Sequence, residues 1–430
     1  MNVEELLKMY NKNIYKSLTI TRKTIIVDVD NVKKIKILKK HTNYHFTEIN
    51  DSQNKLHELY LTRQNITNTI DKKYHNKILK TIKYITEYYT RGLKFYIQKK
   101  DIVGYTISNA YLKLWELLYL IPELISTTDD KLTTFQLAEA PGQFINSITR
   151  FIKLNRKNIK DYDWRANSLK PENYDNVQKY GDEQNIFGDN YGLIKNNPDR
   201  WLWGSDDTGD IINTDNIKWY RKYFKDKDVK LVTGDGGMMG DIKILQKLEL
   251  AQMILTLATS KKGSHCVIKH FTPYVNKDHD NTHKSSGYFI NMVYSYAQYF
   301  ETVKLTKPVT SNPNSGEIYI VGMNFKGISD DEVDNFCKML DMYEANDCWY
   351  NKEDLDKNTL NIIINFMITI LKLNLKQGLI RTILTLCYSN ITEDKKYYLE
   401  CKKQLSYKYH DNIRKVKFDE WMDNHAFLEK

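Results

Sequence analysis

The central part of this chain, residues 101–327, is predicted to form an α/β domain: a parallel sheet with helices on both faces. Three observations predict it. Short apolar runs alternate with helical segments, which is the pattern of strands buried on both sides. One run ends in Pro141-Gly142, a sharp turn that opens a helix, and another ends in Gly234-Asp235-Gly236-Gly237. A mixed, basic region (1–100) precedes this domain and a helical region (328–430) follows it.

In the first region Thr24–Val29 and Val32–Leu38 read as strands, and Ser52–Tyr89 reads as a helix. Lys33 to Lys40 alternates charge with Ile, the pattern of an edge strand with one solvated face or of a strip turned toward RNA. The central strands are expected at Thr134–Leu137, Val229–Thr233, Ser264–Lys269, Thr302–Leu305 and Ile318–Met323. Helices are expected at Ser108–Ile121, Gly142–Lys153, Asp215–Tyr223, Asp241–Ala258 and Gly287–Tyr299. Asp161–Asp210, rich in Asn, Asp, Gly and Trp, reads as long loops around one or two short elements, a common place for substrate contacts. Asp330–Tyr343, Leu355–Leu375 and Glu393–Lys408 show apolar spacing near 3.6 and read as helices.

Net charge is +10, from 64 Lys and Arg against 54 Asp and Glu, which permits a polyanionic partner without demanding one. Cys266, Cys337, Cys348, Cys387 and Cys401 make no Cys-x-x-Cys pair and no zinc spacing, so reduced thiols are expected and no metal. The first residues lack the basic-then-apolar start of a secretory signal. The best apolar stretch, Leu360–Leu375, is interrupted by Asn and Lys and falls short of the roughly 20 residues that span a bilayer. A soluble, cytoplasmic protein with no membrane partner is the expectation.

The chemistry sits at predicted strand ends. Gly142 lets backbone approach a ligand, and ligands of α/β sheets sit beyond the carboxyl ends of the strands. The spacing Gly-x-Gly-x-x-Gly of dinucleotide sites is absent. Asp235 shares that rim, either facing a ligand or capping the helix near Asp241. Lys269 leaves an apolar strand, where an unpaired ammonium is costly to bury, unless its stem covers the sheet edge and its amine reaches water. Lys113 lies on an amphipathic helix and Glu317 opens the last strand; taken alone, each also reads as an ordinary solvated residue.

In this order the segments resemble the RrmJ/FtsJ-like ribose 2′-O-methyltransferases, and within them the mRNA cap-specific enzymes. The resemblance covers about residues 105–327. The family's Lys, its Ala-Pro-Gly turn, its Asp-Gly-Gly, its second Lys and its Glu fall on Lys113, on Ala140-Pro141-Gly142, on Asp235-Gly236-Gly237, on Lys269 and on Glu317. Lys307 to Tyr319 looks like the cap enzymes' K-P-x-x-S-R-P-x-N-S-E-x-Y, and Gly209-Asp210-Ile211 looks like their G-D-I. Three positions depart: Gln143 replaces the second Gly of the turn, Asn312 stands where those enzymes show Arg, and Gly316 is inserted beside Glu317.

The resemblance implies a Rossmann-like fold, S-adenosyl-L-methionine as cofactor, and methyl transfer to a ribose 2′-hydroxyl of capped RNA. It implies cofactor contacts from Glu139, Ala140, Pro141, Gly142, Gln143, Phe144, Asp210, Ile211 and Asp235. Lys269 is then the expected base and Asp235 its orienting partner, with Lys113 and Glu317 positioning the ribose. A lysine base must lose its proton near neutral pH, and burial beside a second cation favours the neutral amine. Trp164, Trp201, Trp203, Tyr162, Tyr180 and Tyr191 could stack on a cap base or merely fill packing gaps.

Other capping enzymes are conceivable partners and DNA is not. Ribosomal or other structured RNA is the alternative substrate, and a non-catalytic RNA-binding scaffold is the alternative from another class. Abundant Asn, Lys, Ile and Tyr point to an AT-rich genome, in keeping with a large DNA virus that caps its messages in the host cytoplasm.

Overall fold

A computed structural model describes residues 22–38, 46–70, 86–181, 188–238, 241–273, 286–387 and 407–428, with isolated positions among 72–83 and at 186. Seven strands make one sheet: β1 (Ile25–Asp30), β2 (Lys131–Leu137), β3 (Asp161–Ala166), β4 (Val229–Gly234), β5 (His265–Phe271), β6 (Phe300–Lys307) and β7 (Glu317–Phe325). Their spatial order is β1-β6-β7-β5-β4-β2-β3. The helices are α1 (Thr47–Thr67), α2 (Leu93–Lys99), α3 (Asn109–Leu120), α4 (Gln143–Asn155), α5 (Tyr174–Tyr180), α6 (Leu193–Asn196), α7 (Thr214–Tyr223), α8 (Ile242–Thr259), α9 (Ser286–Tyr299), α10 (Asp330–Met342), α11 (Lys357–Cys387) and α12 (Tyr407–Asn424).

Only β2 to β5 form the parallel run that the sequence predicts. β7 is antiparallel to both β5 and β6, and β1 is antiparallel to β6. The stretch from Pro308 to Gly316 that joins β6 to β7 is too short for a crossover of a dozen or more residues, so the two strands must run in opposite directions.

Period-2 alternation divides the core. Cys266, Ile268, Ile318 and Ile320 face the layer of α7 to α10. Val267, Tyr319 and Val321 face α3, α4 and the end of the chain. Lys269 and Glu317 continue the second set, so both point toward α3.

Four expectations need correction. Asp161–Ala166 is a strand, missed because the sequence DYDWRA at a sheet edge has no apolar alternation. Val32–Leu38 is extended but pairs with no strand among the described residues. Its Val32 and Leu38 N–H groups donate to the Ala297 and Trp349 carbonyls, and its Ile35 N–H donates to Gln298 Oε1. The helix expected over Ser52–Tyr89 is interrupted: α1 ends at Thr67, 68–70 make a turn, and the described positions from 72 to 86 are helical again. The apolar stretch near Leu360 belongs to a helix of 31 residues, α11, long enough to cross a bilayer. It packs along α1 instead, with Ile363, Met367 and Ile370 in one core and Ile380, Ile383 and Leu384 in the other. The helix expected at Glu393–Lys408 lies almost wholly outside the described residues.

Candidate active site

The chain reverses direction in space between β2 and β4, and the carboxyl ends of these neighbours open a crevice. A cleft of about 430 Å³ occupies it, within the ~300–1,000 Å³ typical of small-molecule sites. Glu139 to Pro141, Gln143, Phe144, Asp210, Ile211, Asp235 and Lys269 line it.

Local geometry explains the turn. Gly142 has φ +102°, and a Cβ there would sit 2.2 Å from Leu193 Cδ1, so only glycine fits. The turn delivers the N-terminus of α4 to the cleft, and buried Glu139 caps it, accepting from Phe144 N (2.8 Å) and Ile145 N (3.0 Å) through one oxygen. Burial pushes the Glu139 carboxyl up to about 8 despite those two donors, with Asp235 adding to the rise. Gln143 turns its Oε1 toward Ser108 N (2.6 Å) at the start of α3, while its buried Nε2 has no hydrogen-bond partner among the described residues. That orphaned donor on the cleft wall marks a place for a polar ligand. Opposite, Asp210 accepts from Lys179 Nζ (2.7 Å), Tyr180 Oη (2.8 Å) and Ile212 N (2.9 Å).

At the inner end the four charged residues meet. Lys113 Nζ lies 2.9 Å from Glu317 Oε2 and 3.9 Å from Asp235 Oδ1, and Lys269 Nζ lies 3.3 Å from that same Asp235 oxygen. Lys269 also donates to the Asp235 carbonyl. Gly237 permits this approach, since a Cβ there would come within 3.1 Å of the Lys269 amine. Lys113, expected to pass alone for a solvated residue, is 7% exposed. Burial opposes its charge, but Asp235 and Glu317 outweigh burial and raise its pKa. Burial likewise opposes the Glu317 charge; Lys113, Lys269, Lys307 and the Ser311 hydroxyl outweigh it and hold the carboxyl well below its usual range.

Sequence reasoning gave no role to the residues that brace this cluster, although Lys307 and Tyr319 bound the family-like segment. Tyr319 Oη donates to Asp235 Oδ1 (2.6 Å), and the alternation that puts Glu317 on this face puts Tyr319 there too. Buried Lys307 donates to the carbonyls of Asn312, Ser315 and Glu317. Arg22 ties the N-terminal segment to the carbonyls of Pro308, Val309 and Ser311. Buried Glu116 accepts from Val309 N and Thr310 N. The inserted Gly316 leaves Glu317 in register opposite Phe271, with its carbonyl accepting from Thr272 N. Of the aromatic candidates, Trp164 and Trp201 pack edge to face in a small core and offer no free stacking surface.

The pattern of FtsJ-like methyltransferases matches residues 106–325, just over half of the chain and the whole of this site. The chain belongs to that family. Among relatives of this FtsJ-like methyltransferase, the uncharacterized protein L511 of Acanthamoeba polyphaga mimivirus is 31% identical over 60% of this chain and 32% of its own length. The probable methyltransferase EP424R of African swine fever virus is 27% identical over 51% of this chain and 49% of its own. The cap-specific mRNA (nucleoside-2′-O-)-methyltransferase 2 of Mus musculus is 28% identical over 53% and 29%. The chain thus spans less than half the length of each. FtsJ-like methyltransferases generally use S-adenosyl-L-methionine.

Proposed function

We propose that this methyltransferase modifies the ribose 2′-hydroxyl of capped mRNA near the 5′ end. The observation that carries the proposal is the buried convergence of two lysines on Asp235 Oδ1, with Glu317 behind them, at the inner end of a ligand-sized cleft. A scaffold has no physical need to hold two ammonium groups so close.

The cleft fits S-adenosyl-L-methionine through the Glu139 to Phe144 turn, the orphaned Gln143 amide, Asp210 and Ile211 on the opposite wall, and Asp235 at its floor. When bound, that cofactor supplies a methyl group on an electrophilic sulfonium. The residues of the chain must align a ribose oxygen and remove its proton. Lys113 is held as a cation by Asp235 and Glu317, which suits it to positioning and charge stabilisation. Lys269 is the group we assign as base. Its second tether, to the Asp235 carbonyl, aims the amine at the cleft floor. The cap preference rests on the Lys307 to Tyr319 segment and on the mouse relative's named activity.

The test is transfer of labelled methyl from S-adenosyl-L-methionine to short RNAs bearing a methylated cap, an unmethylated cap or a 5′-triphosphate, with the modified nucleotide mapped. Label confined to a 5′-proximal ribose of capped RNA is expected. Label at an internal ribose whatever the 5′ end would move the substrate to structured RNA. No transfer, together with no cofactor binding, would leave a scaffold.

A further inference from the structure

A second charged feature lies at the other end of the same strands. β4 and β5 run toward the active-site cleft, and the loops that feed them enclose, with the end of β7, a groove of about 530 Å³. It stands a strand's length from Asp235, roughly 20 Å at about 3.3 Å per residue. Lys218, Arg221, Lys222, Lys225, Lys261 and Lys262 line it, against one carboxylate, Asp330, among the described residues.

Some of these cations have structural duties. Arg221 pairs with Asp330 and donates to the Ala258 and Ile328 carbonyls, Lys261 donates to the Lys225 carbonyl, and Lys218 lies 3.5 Å from Asp215. Favourable interaction with the C-terminal ends of α7 and α8 accounts for Arg221 and Lys261. It reaches Lys222 too, in the last turn of α7, but it leaves Lys225 and Lys262 unexplained, and the amines of all three lysines have no hydrogen-bond or ion-pair partner among the described residues. Ser260, 8% exposed on the groove wall, has a hydroxyl with no partner either. Three free ammonium groups and a buried, unused hydroxyl in one concavity make a site for successive phosphates.

We propose that this groove binds the phosphate backbone of the RNA substrate, downstream of the ribose being methylated. The inference rests on the RNA-methyltransferase reading, since a substrate fixed at the cleft carries a charge at every nucleotide and only its downstream part can reach the far rim. At about 3.4 Å per stacked nucleotide, a straight-line gap of roughly 20 Å, lengthened by the path around the surface, needs at least about six nucleotides. A capped pentanucleotide therefore fills the cleft without touching the groove.

The test compares the wild-type protein with the Lys222→Gln/Lys225→Gln/Lys262→Gln variant on a capped pentanucleotide and on a capped RNA of about 30 nucleotides. The substituted side chains lie on the surface, and matching thermal melts check that the fold is kept. The expected result is a KM for the long RNA raised about tenfold, unchanged kinetics on the pentanucleotide, and a shallower salt dependence of long-RNA binding, by about 2 in log–log slope for three lost contacts. Equal behaviour of both proteins on the long RNA overturns the proposal, as does capture of polyglutamate by the wild type in place of RNA. Binding of the long RNA is read by fluorescence anisotropy as well. If neither protein methylates any RNA but the variant still binds the long one more weakly, the substrate reading fails and the groove stands.

Discussion

The hydroxyl of Tyr319 donates to Asp235 Oδ1 across 2.6 Å, the oxygen that also faces the amines of Lys113 and Lys269. Tyr319 pairs with Lys269 across β5 and β7, so the sheet itself fixes the distance between the hydroxyl and the lysine it serves. With Lys269 as base, the phenol is a positioning group that keeps Asp235 from swinging toward either amine.

Tyr319→Phe is expected to lower kcat by about ten- to a hundredfold. A hydrogen bond to a charged group contributes about 1.5–3 kcal/mol, and each 1.36 kcal/mol is tenfold in rate. Calorimetric affinity for S-adenosyl-L-methionine should hardly change. An unaltered kcat would show that the two lysines orient Asp235 unaided.

Lys269→Ala is expected to abolish methyl transfer while leaving cofactor affinity nearly intact. Binding by calorimetry and turnover by labelled methyl separate the two effects. Substantial residual turnover would refute Lys269 as base and turn attention to Lys113.

How the site could be read in advance differed residue by residue. Asp235 and Lys269 stood out as charges at the ends of apolar runs, whereas Lys113 and Glu317, ordinary when taken alone, were picked out by the family resemblance; the fold brings all four together. Tyr319 closes the family-like segment yet carried no expected role, because an aromatic in a strand looks like core, which by burial it also is. Lys307 opens that segment, but what it does, like the roles of Arg22 and Glu116, is to bind carbonyls or N–H groups of a loop, and partners of that kind are not written in residue spacing. Val32–Leu38 misled for a related reason: its alternation reports one apolar side, but its N–H groups find a helical carbonyl, a loop carbonyl and a side chain rather than a neighbouring strand.

Lys113→Met is expected to destabilise the fold by about 3–5 kcal/mol, because it leaves buried Glu317 without its nearest cation. The Lys113→Met/Glu317→Gln double variant should recover much of that stability, with the Ser311 hydroxyl still able to bond the amide, yet remain inactive. Urea unfolding beside activity checks both. Recovery of activity along with stability would mean that the pair serves only the fold.

Gly142→Ala is expected to weaken cofactor binding at least tenfold. The methyl group meets Leu193 Cδ1 at 2.2 Å and the left-handed φ strains any side chain, so the turn must open and carry the α4 N-terminus away from the cleft. Calorimetry measures it; unchanged affinity would show that Leu193 yields and that the turn does not set the cofactor's place.

Glu139 gives a dependence on pH whose sign differs from that of Glu317. Its carboxyl is pushed up to about 8 by burial, so the folded chain prefers it protonated. That preference contributes stability in full below the ordinary carboxyl pKa near 4.5, fades between 4.5 and 8, and is gone above. Its size is on the order of several kcal/mol at most, at 1.36 kcal/mol per unit. Glu139→Gln keeps an oxygen to accept from Phe144 and Ile145 but cannot titrate. Without cofactor, the wild type should therefore lose stability relative to the variant as pH rises from 5 to 8, measured by urea unfolding at about three pH values in that window. Glu317, held low by its lysines, works in the opposite direction: its contribution is present above the ordinary carboxyl pKa and is lost only as the solution becomes strongly acidic. Parallel curves for the wild type and Glu139→Gln would mean that the helix N-terminus of α4 stabilises the carboxylate enough to cancel its burial.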